Sequence, residues 1–234
     1  MSLNSNNENL KPMSHVTTYD ANGRPVSRAG SLTLVGGVLC LNFTNTTSGR
    51  GSTQKLEHLY GYDNLLAWAR HVGAVDEETA KVLAAYPPNG RAARRAMGRA
   101  IVLRDALHAI FTAMRTKAPA PPAALAELNR CLAEATAAAA IEQTKEGFVW
   151  RWPAKATPPE RLLWPVARSA AELLTTGDPA RIKACPGPHC GWMFLDRTRN
   201  GRRRWCEMEV CGSRAKMRRY HQRQRERADG SHRH

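Results

Sequence analysis

The sequence predicts an α+β protein in two parts. The first is a mainly helical N-terminal domain with a small β-sheet, and the second is a small C-terminal module of β-hairpin and helix gathered around four cysteines. Three observations carry that reading. Apolar residues recur at helical spacing through the middle of the chain, as at Ile101, Leu103, Leu107, Ile110, Phe111 and Met114. The period changes to alternation at Phe148, Trp150 and Trp152, which suits a strand. Cys185 and Cys190 are then followed by Cys206 and Cys211, two pairs with four residues inside each.

The chain divides into a flexible leader at 1–30, a helical α+β domain at 31–180, the cysteine module at 181–227 and a flexible tail at 228–234. The leader is rich in Ser, Asn, Gly and Thr and has no sustained periodicity. Residues 32–43 read as a Leu- and Val-rich strand bulged at Gly36-Gly37, or as two short strands in a hairpin around that pair. Asp63 is placed as the N-cap of a helix over 64–72, with Leu65, Leu66, Trp68 and Ala69 on one face. Asp76 opens the next helix, and Glu77 and Glu78 in its first turn suit the dipole there. Pro87-Pro88-Asn89-Gly90 is a break, after which 91–114 forms one long helix. Arg91, Arg94, Arg95 and Arg99 lie off its apolar stripe as a solvated face, and His108 reads as a packed residue.

Pro121-Pro122 opens a helix over 123–140, with Leu125, Leu128 and Leu132 near helical spacing. A hairpin over 142–152 turns at Lys145-Glu146-Gly147, and its strands are expected to pair with those of 32–43, the tryptophans serving as core. A helix over 160–175 is interrupted or restarted by Pro165. Gly177-Asp178-Pro179 ends it and leads within a few residues to Cys185, so the module is held close to the main body.

Two thiolate pairs joined by a longer insert match a tetrahedral Zn²⁺ site, and thiolates select Zn²⁺ over the oxygen-loving Mg²⁺ and Ca²⁺. The expected ligands of one structural ion are Cys185, Cys190, Cys206 and Cys211. The rival reading is disulfides or free core thiols; a polar N-terminus that lacks secretory features points to a reducing cytoplasm and argues against the disulfides. His189 and His221 lie near, but four sulfurs saturate the ion and leave no position for an activated water. Cys40 and Cys131, far from the cluster, read as small buried hydrophobes. Within the module, 192–195 fits a strand, 199–201 its turn and 203–205 the return strand, and Ser213 caps a helix running to about Arg225.

Charge points to a partner. The net charge is +15, and from Cys185 onward thirteen Lys and Arg face five Asp and Glu, a net of +8 in the last fifty residues. Concentrated positive charge beside zinc knuckles suits nucleic acid, with double-stranded DNA first and RNA or a protein partner as rivals. Arg202, Arg203 and Arg204 on the hairpin, and Arg214, Lys216, Arg218, Arg219 and Arg223 on the helix, are the candidate contacts. Arg214 has a second reading, an internal ion pair with Asp196. No run of apolar residues is long enough to span a membrane. Without paired carboxylates, a nucleophile-base set or a phosphate loop, no enzyme is expected.

The run Cys190-Gly191-Trp192-Met193-Phe194-Leu195-Asp196-Arg197-Thr198-Arg199, with Arg203-Arg204-Trp205-Cys206 and Cys211-Gly212-Ser213-Arg214, resembles the CGNR zinc finger. Ser213 stands where that family's name has asparagine. Upstream, Gly36-Gly37-Val38-Leu39-Cys40-Leu41-Asn42-Phe43 with Asn45-Thr46 is similar to the opening of the ABATE domain, the partner of such fingers in stress-induced transcriptional regulators. The resemblance implies DNA binding by the finger and, for the ABATE domain, sensing of a small-molecule effector or association, including as a homodimer. It also implies an aspartate where this chain has Asn42. Asn42, Asn45 and Thr46 read either as a polar ligand site or as side chains that hold a turn together. Ala- and Arg-rich usage suggests a bacterial source.

Overall fold

Helix α4 (Arg91–Arg115) is the axis of the N-terminal domain because it has apolar or small residues on nearly every turn. Leu103, Leu107, Ile110 and Phe111 are almost wholly buried, each worth about 1.5–3 kcal/mol in apolar burial. Ala93, Ala96 and Ala100 are equally buried and let neighbouring elements approach closely. These come from a computed structural model that describes residues 21, 26–50, 52–53, 55–153 and 157–231. Most of the expected leader and residues 232–234 of the expected tail lie outside the described residues. Packed against α4 are α1 (Leu39–Thr44), α2 (Tyr62–His71), α5 (Pro122–Ala137) and a 3₁₀ turn, Pro159–Leu163, that leads into α6 (Trp164–Thr175). Among the described residues no helix is long and apolar enough to cross a membrane.

The expected strand over 32–43 is not formed. Gly36 and Gly37 make a turn, with Gly37 at φ +81°, and the apolar run after it is the short helix α1. A short apolar run has no period to separate a strand from a buried helix. Here Cys40, Leu41 and Phe43 are all fully buried, and Phe43 packs on Trp68 at 5.0 Å between rings. After α1, β1 (Thr47–Ser48) pairs antiparallel with β2 (Leu56–Glu57), which brings Glu57 to α4. There Glu57 accepts two hydrogen bonds, at 2.6 and 2.7 Å, from the buried Arg104 guanidinium, which also donates to Thr46.

Helix α2 begins two residues earlier than Asp63 would set it, with Gly61 at the N-cap. Asp76 does cap α3 (Glu77–Ala84), accepting from the Thr79 amide at 2.7 Å, and that bond holds its carboxyl below the usual range. His108 sits half-buried on α4, and burial, with Arg50 beside it, holds it down to about 4, so it is neutral at pH 7. Cys40 and Cys131 are buried, and burial pushes both thiols up to about 12, which makes them inert hydrophobes.

Helix α4 ends in a Schellman motif. The Lys117 amide donates to Met114 and the Ala118 amide to Ala113, which requires Lys117 to be left-handed, at φ 55°. Glycine is the usual residue here because a side chain is strained at positive φ. Lys117→Gly is therefore expected to stabilise the fold by about 1 kcal/mol, the relieved strain exceeding the added chain entropy. A urea melt of the variant checks it, and a lowered midpoint would refute it.

Helix α5 starts at Pro122 as expected but stops at Ala137, since β3 (Ala140–Thr144) begins just beyond it. β3 pairs with β4 (Gly147–Arg151) around Lys145-Glu146, with Ile141 opposite Trp150. This hairpin does not join the region of residues 32–43; the strands form three separate two-stranded ribbons. Trp152 alone of its aromatics is anchored, through an indole hydrogen bond to Ala135 and contact with Trp164. Trp150 lies under Arg168, while Phe148 is exposed. Pro165 falls in the first turn of α6, where its missing N–H is harmless, so the chain restarts there.

Strands β5 (Ile182–Ala184) and β6 (Met193–Leu195) and helix α7 (Ser213–Ser231) complete the fold. Their apolar residues do not make a separate core. Ile182, Trp192, Met193 and Phe194 are buried in the same cluster as α1, α4 and α6.

Candidate metal centre and nucleic-acid interface

The metal centre is built from a ribbon and a tight turn. β5 and β6 pair with Ile182 opposite Leu195 and Ala184 opposite Met193, so the chain leaves the ribbon at Cys185 and re-enters it just after Cys190. The Cys185 amide donates to Trp192 and the Cys190 amide to Gly187, closing the knuckle. A side chain at Gly187 would sit 3.1 Å from Cys190 Cβ and 3.4 Å from Cys211 Sγ, so only glycine leaves the sulfurs room. The second pair lies on a π-type turn, Met208–Gly212, whose Cys211 and Gly212 amides both reach the Glu207 carbonyl. Ser213 does not cap α7 as expected; its hydroxyl donates back to the Met208 carbonyl, and α7 continues directly from that turn.

The four sulfurs are buried and lie within 4.8 Å of one another. Cys206 Sγ is 3.6 Å from both Cys190 Sγ and Cys211 Sγ. A Zn–S bond of about 2.3 Å places tetrahedral sulfurs about 3.8 Å apart, so the spacing fits. None of the cysteines is in a disulfide. Protons alone serve this cluster badly: hydrogen bonding to Cys190 draws Cys185 down to about 7, while Cys185 pushes Cys190 and Cys206 far up. A divalent cation removes that conflict by holding every sulfur as thiolate. The site is that of one structural zinc ion, with Cys185, Cys190, Cys206 and Cys211 as its ligands.

The insert between the pairs is held by charge, not by the expected return strand. Asp196, fully buried, accepts from Lys183 Nζ at 2.6 Å, from the Thr198 amide and hydroxyl, and from the Arg203 amide. The Lys183 ammonium, followed by Thr198, holds its carboxyl well below the usual range. Lys183 also donates to the Gly201 and Arg203 carbonyls. Such side-chain bonds replace a ladder, and 203–205 forms no strand. Asp196 therefore pairs with Lys183 and not with Arg214.

Two comparisons with known families bear on this arrangement. Residues 37–177 match the ABATE model, described as "Putative stress-induced transcription regulator". The chain belongs to the ABATE family. Residues 181–224, directly after that match, match the CGNR zinc finger. No curated protein matches the chain.

The ABATE domain grips the CGNR finger through its own opening segment. Asn45 receives the Met193 amide on Oδ1 and donates from Nδ2 to the Met193 carbonyl, both at 2.8 Å, as a neighbouring strand would. The Leu195 amide donates to Gly36, the Gly49 amide to Cys190, and the Trp192 indole to Thr47. Asn42 accepts from the Gly36 amide through Oδ1, closing the glycine turn on α1. That use needs only an acceptor oxygen, which asparagine and aspartate share. Thr46 donates to Phe43 and accepts from Arg104. The polar side chains of Asn42, Asn45 and Thr46 thus bond within the protein, and those of Asn45 and Thr46 are buried.

The expected nucleic-acid contacts divide. Arg203 faces inward over the Phe194 ring and donates to Val35, Trp205 and Cys206 carbonyls, so it joins the ABATE domain to the second cysteine pair. Arg202 and Arg204 are exposed beside it. Arg214 is half-buried near His189, while Lys216, Arg218, Arg219 and Arg223 are exposed on α7. Along 213–226 only Ala215 is buried, and Glu226 is the only acid. Asn45, Lys183 and Arg203 were missed as organising residues. Their partners lie far off in sequence or are backbone atoms, and neither leaves a local pattern.

Proposed function

We propose that this protein is a DNA-binding transcriptional regulator in which the zinc-organised finger presents α7 to duplex DNA. One observation carries the reading: along 213–226, α7 is anchored only at its first turn, by the Cys211 turn and Ala215, and the rest of that stretch is a solvated cationic helix. Among the described residues none of its arginines makes an ion pair. A helix that is polar all round gains nothing from packing, so its retention suits a partner. Lys216, Arg219 and Arg223 recur at helical spacing and form the proposed phosphate-gripping stripe, with Arg214 and Arg218 beside it. An α-helix of this width fits the major groove. The ABATE domain supports this role as a rigid mount for the finger. The reading assigns zinc no catalysis, because a four-sulfur site has no open position, and it requires a reducing compartment such as the cytoplasm.

The test uses the zinc-loaded full chain and fluorescence anisotropy with labelled duplexes over a salt series. Log affinity is expected to fall with log salt by about 0.9 per phosphate contact, with a sequence preference above that background. Replacing Lys216, Arg219 and Arg223 together by glutamine is expected to reduce the slope by about 3. An unchanged slope would remove α7 from the interface. Equal affinity for structured RNA, without preference among duplexes, would reassign the finger to RNA.

A further inference from the structure

A cleft of about 640 Å³ opens between the end of α4 and the finger, in the range of small-molecule sites. Arg115 and Lys117 enter it from the ABATE side, Arg202 and Arg204 from the finger. All four are exposed, and none is in an ion pair among the described residues. Lys183 and Arg203 also line it, but their charged ends are held by Asp196 and by carbonyls, so they form a fixed wall. Among the described residues no acidic side chain lines the cleft, and Met114, Ile182 and Pro186 add apolar surface. No residue of α7 lines it either.

We propose that this cleft binds a phosphorylated small molecule carrying at least two phosphate charges, clamped between the ABATE domain and the finger. Arg204 also stacks over the Trp205 ring, which neutralises no charge; four cations on one concavity repel one another, and a compact polyanion relieves that repulsion better than scattered water or monovalent ions. Guanidinium forks from two sides match the oxygens of a diphosphate. Lys117, held left-handed by the Schellman end of α4, also lines the cleft. A ligand bridging 115–117 and 202–204 would act next to the loop that returns to Cys206, and so on the finger that carries α7.

The probe is inorganic pyrophosphate, titrated calorimetrically into the zinc-loaded full chain without DNA, with orthophosphate as the weaker comparison. One saturable site is expected. Lys117→Gly combined with Arg115→Gln should weaken it by about tenfold or more, while Lys117→Arg retains it. Because Lys117→Gly is expected to raise the melting temperature, lost binding cannot be put down to unfolding. Duplex affinity of the double variant, measured in parallel, should be unchanged. Absence of saturable pyrophosphate binding, or binding indifferent to the double variant, overturns the proposal. So does a parallel fall in duplex affinity, which would give the cleft to the DNA backbone. Pyrophosphate binding in a protein that ignores DNA would leave this site standing and sink only the regulator reading.

Discussion

Chelating the zinc at neutral pH is expected to dissolve the order of the C-terminal module and lower the melting temperature of the whole chain by well over about 10 °C. Structural zinc sites contribute apparent energies of about 10–16 kcal/mol, as much as the total stability of an ordinary domain. For a chain of this size about 1 kcal/mol moves the melting temperature by about 2–4 °C, so even two thirds of that energy is enough. The effect should reach beyond the finger because Trp192, Met193 and Phe194 are buried in the ABATE core. Asn45, Thr47 and Gly49 would also lose partners in 190–193. Calorimetry and near-ultraviolet circular dichroism, with and without chelator and after zinc is restored, follow both parts. Cys206→Ser makes the same change genetically. A melting temperature within about 2 °C of the holo value would show the metal to be dispensable.

The second large effect is expected from Glu57→Ala, at about 3–5 kcal/mol of destabilisation. The Arg104 side chain is 1% exposed, so removing Glu57 leaves a buried charge with only the looser Asp105 carboxylate, at 3.9 Å, to face it. Arg104→Met should cost less, because the charge leaves with the mutation and Glu57, 24% exposed, can be hydrated. Burial alone would raise the Glu57 carboxyl, but the paired hydrogen bonds and charge of Arg104 outweigh it and hold it below its ordinary 4.5. Its stabilisation is therefore complete above the ordinary carboxylate range and disappears as pH falls through the depressed value. Urea melts at pH 7 and across the acid range should show wild type losing stability that Glu57→Gln never had. Matching pH profiles would reject the pair as a stabilising element.

The features legible in the sequence were those set by short range. Cysteine spacing, the Asp76 cap, the stripe of α4 and the restart at Pro165 each follow from residues within a few turns of one another. Residues 32–43 were misread because an apolar run carries no period once every side is buried, as Cys40 and Leu41 are. The supposed return strand at 203–205 failed for another reason. The Arg203 side chain bonds carbonyls at 35 and 206 and leaves no ladder to join. Two-residue strands such as β1 and β2 are too short for any periodic signal, so the Glu57–Arg104 pair was invisible as well.

Asn45 and Met193 are 148 residues apart. During synthesis at about 5–20 residues per second, roughly 7–30 s separate the emergence of the two partners. Through that interval the segment 36–49 has no mate for its outward amides and carbonyls, and α1 lacks part of its cover. The nascent N-terminal domain must wait, half-finished, for the finger. Folding of this chain is therefore timed by translation and completed by a metal ion bound in its later-made part.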